Sequence, residues 1–449
     1  MRRGAWQCAV RLAVLLLLPA RQTMAADAGM SSPLTPYRAI AWTAPTPPLP
    51  HVVGVVRYQS SSDPAAVAAA LNHRPAGARA LLRWESNDNR FWKNPADLLP
   101  IASPASQPSD ATTAPGPWLE HGAAAEAAFE SRFAEALHRL NTRPDFLVLD
   151  TEMGIGTWSL TSPQLSAIGG DRRWSAVARQ FGIRGADDLV GVTNSPAARA
   201  FNLAMQVTTA AYFRAGYFLP WRKIDPSIGC SDFGDGVLNE AQAAQAVDDD
   251  GNVQPMALPM HGNMQSPCCY AWVHKIGQRP CNQGADFRQP LPALCWITSM
   301  VRGYAQSPEP MLPWIAARSW TDGHVLIANT PYQDELVWQV CLSAGCTDVL
   351  YFNPDARAAD DAAMDGDLAA LERQARRSPT LTPLTTAAVP FASPVLVSGA
   401  RCADGRRVYR VTTWPAAAAP RVLRVMLPGE IIETAVTVPA GEVGAWVVR

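Results

Sequence analysis

Short apolar runs alternate with stretches of helical spacing over about three hundred residues. His51 to Tyr58 (HVVGVVRY), Ala78 to Trp84 (ARALLRW), Phe146 to Asp150, Ser227 to Asp232, Met311 to Trp320 and Asp348 to Asn353 read as strands. Helices are predicted over Pro64 to Leu71, Ala123 to Leu140, Pro196 to Tyr217, Ala293 to Tyr304, Gln333 to Ala344 and Asp360 to Arg376. Strands that alternate with helices imply a parallel sheet. No glycine-rich phosphate turn follows the first strand, and polar or aromatic residues stand at nearly every strand's C-terminal end. A closed (β/α)8 barrel, an α/β fold over residues 40–377, is therefore expected rather than an open doubly wound sheet. Six strands are legible; the other two are expected near Gly116-Pro117-Trp118 and Ala257 to Met260. Pro100 to Pro117 and Asp248 to Arg288 read as long insertions beside the cleft.

The pattern changes after Pro383. Helical spacing is lost, and Pro394 to Ser398, Arg407 to Thr413, Arg421 to Leu427, Glu430 to Val438 and Gly444 to Val448 read as short strands. Turn pairs such as Asp404-Gly405 and Pro428-Gly429 separate them. Residues 383–449 are expected to form a small antiparallel β-sandwich packed on the barrel.

The N-terminus reads as a secretory signal over residues 1–25: Arg2 and Arg3, the apolar Leu12 to Leu18, then a small-residue cleavage site. That apolar run is too short to span a bilayer, and no later one is long enough. A secreted chain, extracellular or periplasmic and free of the membrane once processed, is expected. Cleavage near Ala25 would remove four of the 38 basic residues, leaving 34 against 39 acidic ones and a net charge of about −5. No basic cluster points to nucleic acid. Cleavage also removes Cys8, leaving eight of nine cysteines, an even number that favours disulfides in an oxidising compartment. Cys341 and Cys346 are close enough in sequence to bridge locally; the other pairings stay open. The fifteen tryptophans divide between core packing and platforms for sugar rings.

The most informative segment is Asp145-Phe146-Leu147-Val148-Leu149-Asp150-Thr151-Glu152, an apolar strand ending in two acids two residues apart. Alternation sends Asp150 and Glu152 to one face, at the end of a barrel strand where barrels do their chemistry. Two adjacent carboxyls do not ionise independently, and a retained proton beside a carboxylate is what glycosidic cleavage needs. Further acids at strand ends are Glu85, Asp232, Asp235 and Asp322. Groups that could grip or stack on a sugar are Arg57, Tyr58, Arg83, Trp84, Asn87, Arg318, Trp320, Tyr351 and Asn353. No H-E-x-x-H, P-loop, G-x-S-x-G or G-x-G-x-x-G motif occurs, and the seven histidines show no ligand pairing. No metal or cofactor is therefore expected.

A strand ending in Asp-x-Glu resembles the fourth-strand motif of barrel glycosidases acting on N-acetylated sugars, the chitinases and hyaluronidases. The resemblance implies Glu152 as general acid, with Asp150 positioning an acetamido group that attacks the anomeric carbon. The run from Trp314 to Trp320 through Gln333 to Ala344 and into Asp348 to Phe352 is similar to the last repeat of many glycosidase barrels. The motif departs from the chitinase form, with Val148 where that form has a further aspartate. If the acetamido route fails, Asp232 or Glu85 must supply the second carboxylate. A secreted glycoside hydrolase with a carbohydrate substrate is the first expectation. A non-catalytic carbohydrate-binding or surface protein on a degenerate barrel is the alternative.

Overall fold

A strand covered on both faces needs apolar residues at successive positions, and the runs singled out above have them. The computed structural model describes residues 37–74, 79–84, 120–149, 211–232, 262–270, 289–306, 308–319 and 330–449, with a few more between 175 and 182. Its first elements are β1 (Arg38–Ala41), β2 (Val52–Gly54), β3 (Val56–Tyr58), α1 (Pro64–Asn72) and β4 (Leu81–Trp84). There follow α2 (Glu120–Arg139), β5 (Phe146–Leu149) and a π-helical turn (Arg214–Phe218) that runs into α3 (Leu219–Ile224). Then come β6 (Gly229–Asp232), α4 (Pro290–Tyr304), β7 (Trp314–Ala316), α5 (Thr330–Ala344), β8 (Asp348–Phe352) and α6 (Ala358–Gln374). Local chemistry sets several helix starts. Asp63 caps α1 by accepting from the Ala65 N–H at 3.1 Å, and Pro64 and Pro290 occupy first-turn positions where no N–H is needed.

Every pairing in this part is parallel. β7 pairs with β8, β8 with β1, β1 with β2, and in a second run β3 with β4, β4 with β5 and β5 with β6. β2 and β3 are halves of one stave interrupted at Val55, whose N–H still reaches the Ala41 carbonyl at 3.0 Å. Residues 263–268 bridge the remaining gap. Asn263 and Met264 donate to the Cys230 carbonyl of β6 at 3.0 and 3.2 Å. On the other side, Gln265 pairs with Met311 and Cys268 with Trp314. Eight parallel staves thus close on themselves. The two that the pattern did not mark are β1, ahead of the first expected strand, and residues 263–268, just beyond the expected Ala257 to Met260. Residues 116–118 and 257–260 lie outside the described residues.

The junction at Cys230 depends on a glycine. A Cβ on Gly262 would lie 1.8 Å from the Cys230 carbonyl oxygen. Gly262→Ala should therefore push the sixth stave off the fifth and cost about 1–3 kcal/mol or more, read as a lower urea midpoint. An unchanged midpoint would show that this seam is not as tight as described.

Alternation sorts the strand residues between two layers. Ile40, Val53, Leu81, Val148, Met264, Leu312, Trp314 and Leu350 fill the barrel interior. Their neighbours in sequence face the helices: Tyr58, Leu82, Trp84, Leu147, Leu149 and Cys230 on one side, and Ala39, Ala41, Val52, Ile315, Val349 and Tyr351 on the other. Each large apolar side chain sealed in this way contributes roughly 1.5–3 kcal/mol.

The C-terminal part is antiparallel. β9 (Leu381–Pro383), β10 (Val395–Cys402), β11 (Arg407–Thr413) and β14 (Gly444–Val448) form a sheet in the order β14-β11-β10-β9. β12 (Arg421–Met426) and β13 (Glu433–Val438) form a hairpin. Sheet and hairpin share a core of Tyr409, Val411, Val425, Leu427, Val436, Val438 and Ala445, so this is a two-layer β-structure. It is fastened to the barrel by buried polar groups. Arg302 of α4 donates to the Ala387 and Val397 carbonyls at 3.0 and 2.6 Å. Glu335 of α5 meets Arg410 of β11.

Cys230, Cys269, Cys295, Cys341, Cys346 and Cys402 stand as buried thiols in the described residues. The disulfides expected from an even count are not shown there. No helix among the described residues is long and apolar enough to cross a membrane. Residues 1–36, Pro100 to Pro117, the segment directly after Leu149, and the expected insertion Asp248 to Arg288 apart from residues 262–270 lie outside the described residues.

Candidate active site

The inward positions at the C-terminal ends of the staves define the barrel mouth. Register brings Arg57 of β3 level with Arg83 of β4, and Arg83 level with Val148 of β5 and Ser231 of β6. Register partners on parallel strands share a face, and Val148 belongs to the interior core, so this row faces inward. Trp42, immediately after β1, joins it. Its indole packs edge-on against Trp314 at 5.7 Å and Phe352 at 5.3 Å. The buried Arg83 guanidinium lies over the Trp42 ring. The exposed Arg57 sits 5.6 Å from the same ring and donates from Nη2 to the Trp42 carbonyl at 2.8 Å. Each cation held over the indole adds about 0.5–2 kcal/mol, the upper value where water is excluded. Among the described residues, one tryptophan and two arginines on three neighbouring staves stand together on this side of the mouth. In sequence, Glu85 follows Arg83 by two residues and Asp150 follows Val148 by two.

Several expected sugar-binding residues point the other way. Tyr58 and Trp84 stand one residue beyond Arg57 and Arg83, so alternation turns them into the helical layer, where they are 1% and 0% exposed. The Tyr58 hydroxyl donates to Glu130 at 3.0 Å, and its ring packs edge-on against Trp84 at 4.9 Å. Tyr351 is sealed in the outer core on the opposite side. Asn353 is a fastener: its Nδ2 donates to the Thr43 carbonyl and to Asp361 Oδ1, both at 2.9 Å, and its Oδ1 accepts from the Thr43 N–H at 2.8 Å. Arg318 leaves the barrel axis too, donating to Asp334 and Asp367 at 2.5 Å each. Burial outweighs Arg318 there and pushes the Asp367 carboxyl up to about 8. Trp84, Trp221 and Trp314 are core residues, which removes them as sugar platforms.

Of the acids, Asp150, Glu152, Glu85 and Asp235 lie outside the described residues, as do Asp322 and Trp320. Asp232 ends β6, in register with Leu149, whose side chain faces the helices; its own side chain lies outside the described residues. Trp42 is the mouth residue that the pattern missed. Its signal was present: it stands two residues after Ile40, on the same face of a strand too short to stand out.

A buried pair of carboxyls does occur, but in the helical layer. Glu126 and Glu130, one turn apart on α2, are both fully buried. Glu130 accepts from Trp221 Nε1 at 2.5 Å and from the Tyr58 hydroxyl. Burial first, and then the neighbouring Glu126, push the Glu130 carboxyl well above the ordinary range, against the pull of the Trp221 and Tyr58 hydrogen bonds. Burial also raises Asp348 to about 6 despite Arg79 and Arg38. These acids hold protons in the folded chain that the unfolded chain releases above about pH 4. Stability is then greatest below that pH and falls as pH rises through the folded values. Glu130→Gln keeps an acceptor for Trp221 and Tyr58 and should flatten the decline, measured as urea midpoints from about pH 5 to about pH 8. A decline equally steep in the variant would assign it to other groups.

Among the described residues, no group of three or more His, Cys, Asp and Glu side chains could hold a metal ion. No family model matches the chain, and no curated protein matches it. Solved structures do resemble it distantly. A variant of the GH36 alpha-galactosidase AgaA from Geobacillus stearothermophilus, in complex with raffinose, has 11% identity and a TM-score of 0.39, covering 85% of this chain. The chain spans 45% of that structure's length. A family 39 glycoside hydrolase from Bacteroides cellulosilyticus WH2 has 10% identity and a TM-score of 0.36, covering 88% of this chain and 74% of the other. The endo-beta1,6-glucanase BT3312 has 10% identity and a TM-score of 0.39, covering 82% and 70%. None of these three is a chitinase or a hyaluronidase, and the barrel assignment stands on the closed ring of eight staves.

Proposed function

We propose that the chain is an exported glycoside hydrolase whose chemistry is carried by Glu152 as general acid, with Asp150 as its partner. The observation that carries this reading is the register of β5. Val148 faces the barrel interior beside Arg83, and the strand ends at Leu149, immediately before Asp150. The described end of β5 has an arginine and an indole beside it at the C-terminal end of a closed parallel barrel, the end where barrels do their chemistry, and acid catalysis on a sugar needs a carboxyl there. Mutual repulsion between two carboxyls so close in sequence favours a proton on one of them. The finer reading, an acetamido group acting as nucleophile under the guidance of Asp150, follows from the Asp-x-Glu likeness. Asp232 and Glu85 are the second carboxylates if that route fails.

The test compares the mature chain with Glu152→Gln on a panel of polysaccharides that includes chitin and hyaluronan. Release of reducing sugar should fall at least about a hundredfold in the variant, the order that general acid catalysis contributes, with the thermal midpoint unchanged. Equal activity in both chains would move the acid to Asp232 or Glu85. Glycan binding without cleavage by the parent would favour a carbohydrate-binding protein on a barrel scaffold.

A further inference from the structure

α5 ends in a turn that sets two cysteines side by side. Gly345 takes a φ of +68°, which ends the helix, and the N–H groups of Gly345 and Cys346 both return to the Cys341 carbonyl, at 2.9 and 3.2 Å. This closure folds the chain back so that Cys346 lies beside Cys341. Cys341 is 0% exposed and Cys346 8%. The other buried thiols are engaged differently. Cys230 donates to the Ile228 carbonyl, Cys269 to the Pro267 carbonyl and Cys402 to the Ala375 carbonyl.

We propose that Cys341 and Cys346 are joined by a disulfide in the exported chain. The co-reactant is a disulfide of the exchange-donor class. One thiolate attacks a donor sulfur, breaking the donor S–S bond and releasing the first donor thiol. The second cysteine then attacks the mixed disulfide, forming the Cys341–Cys346 bond and releasing the second donor thiol. Two protein thiols are oxidised, the donor is reduced to two thiols, and the two protons pass to them. Exchange precedes final packing, because the folded chain seals both sulfurs, and the neighbouring Cys341 together with burial pushes the Cys346 thiol up, away from its reactive form.

The bridge lies where the two parts of the protein meet. A Cβ on Gly345 would touch Pro383 at 2.5 Å, so the turn is clamped against β9 of the C-terminal sheet. Asp348 begins β8 two residues after Cys346. The bond would thus tie the end of α5 to the start of the last barrel strand at the seam with the β-structure. This inference rests on the export proposed above and not on the glycosidase chemistry.

The experiment uses the full chain exported to an oxidising compartment, unfolded in denaturant with a thiol-alkylating reagent and no reductant, then cut with trypsin. No Lys or Arg lies between Arg318 and Arg357, so both cysteines fall in the single peptide from Ser319 to Arg357. That peptide should be lighter by two hydrogens than its dithiol form and carry no label. After reduction it should take two labels. Labelling at both cysteines without reductant overturns the proposal, and so does a link from either one to a different cysteine. Cys341→Ser should expose Cys346 to the reagent; a Cys346 that stays protected in that variant also overturns it. Peptide mapping of the parent decides the question even if the variant fails to fold.

Discussion

Arg410→Ala is expected to destabilise the protein by about 3–5 kcal/mol, because it strands a buried carboxylate. Glu335 on α5 is fully buried and Arg410 on β11 is nearly so. Arg410 Nε reaches both carboxylate oxygens, at 3.1 and 3.0 Å, and Nη2 binds Oε1 as well. The Thr412 hydroxyl donates to the other oxygen, and Gln339 Nε2 donates to that hydroxyl at 2.8 Å. The guanidinium lies against Trp338 and Trp446, 4.4 and 5.2 Å from their centroids, and the two indoles meet edge-on at 5.3 Å. Removing the cation leaves the anion with its hydrogen bond from Thr412 but no counter-charge. Replacing both partners with apolar residues of similar volume should restore much of the loss, since desolvation is then removed along with attraction. Urea unfolding of the single and double variants measures both effects. A single-variant loss below about 1 kcal/mol, the range of exposed pairs, would mean that water reaches this pair.

Trp84→Ala is expected to cost about 3–5 kcal/mol of stability while leaving substrate affinity unaffected in whatever fraction stays folded. The indole is 0% exposed and packs against Tyr58, Phe129 and Tyr217 at 4.9, 5.3 and 6.1 Å. It stands at the end of a barrel strand, where a sugar platform was sought, yet it faces the helices. Thermal midpoint and KM separate the two roles. A raised KM with an unchanged midpoint would turn Trp84 back into the mouth. Trp84→Phe, which keeps most of the packed surface, should lose much less than the alanine variant.

These two residues also show where the chain was readable. Long runs with aliphatic residues at successive positions, such as Phe146 to Leu149 and Asp348 to Phe352, were legible because both faces of a barrel strand are buried. The antiparallel strands Arg407–Thr413 and Gly444–Val448 were marked with the same bounds they have in the fold. β1 was not, because Arg38-Ala39-Ile40-Ala41 has one large aliphatic residue and is followed by a proline-rich stretch. Residues 263–268 read as loop, since Asn, Gln, Ser and Pro dominate and pairing is confined to isolated bridges. Of the expected strand Met311 to Trp320, three residues from Trp314 form the ladder, and Pro313, with no N–H to give, sets its start. At the mouth, the expected residues include two adjacent pairs, Arg57 with Tyr58 and Arg83 with Trp84. Strand alternation admits one of each pair, and the arginines are the ones on the inner face. The buried Glu126 and Glu130 escaped notice because two acids one helical turn apart usually mark a solvated surface.

The seam between β1 and β8 has a consequence for the order of events during synthesis. Thr43 and Asn353 are joined by reciprocal hydrogen bonds across 310 positions of sequence, and His51 reaches Glu372 across 321. Contacts of such long range are made late, after most of the chain's entropy has been lost. The first stave must therefore wait, with one hydrogen-bonding edge open, until the last has emerged, and a chain interrupted anywhere before residue 348 presents that edge to other strands.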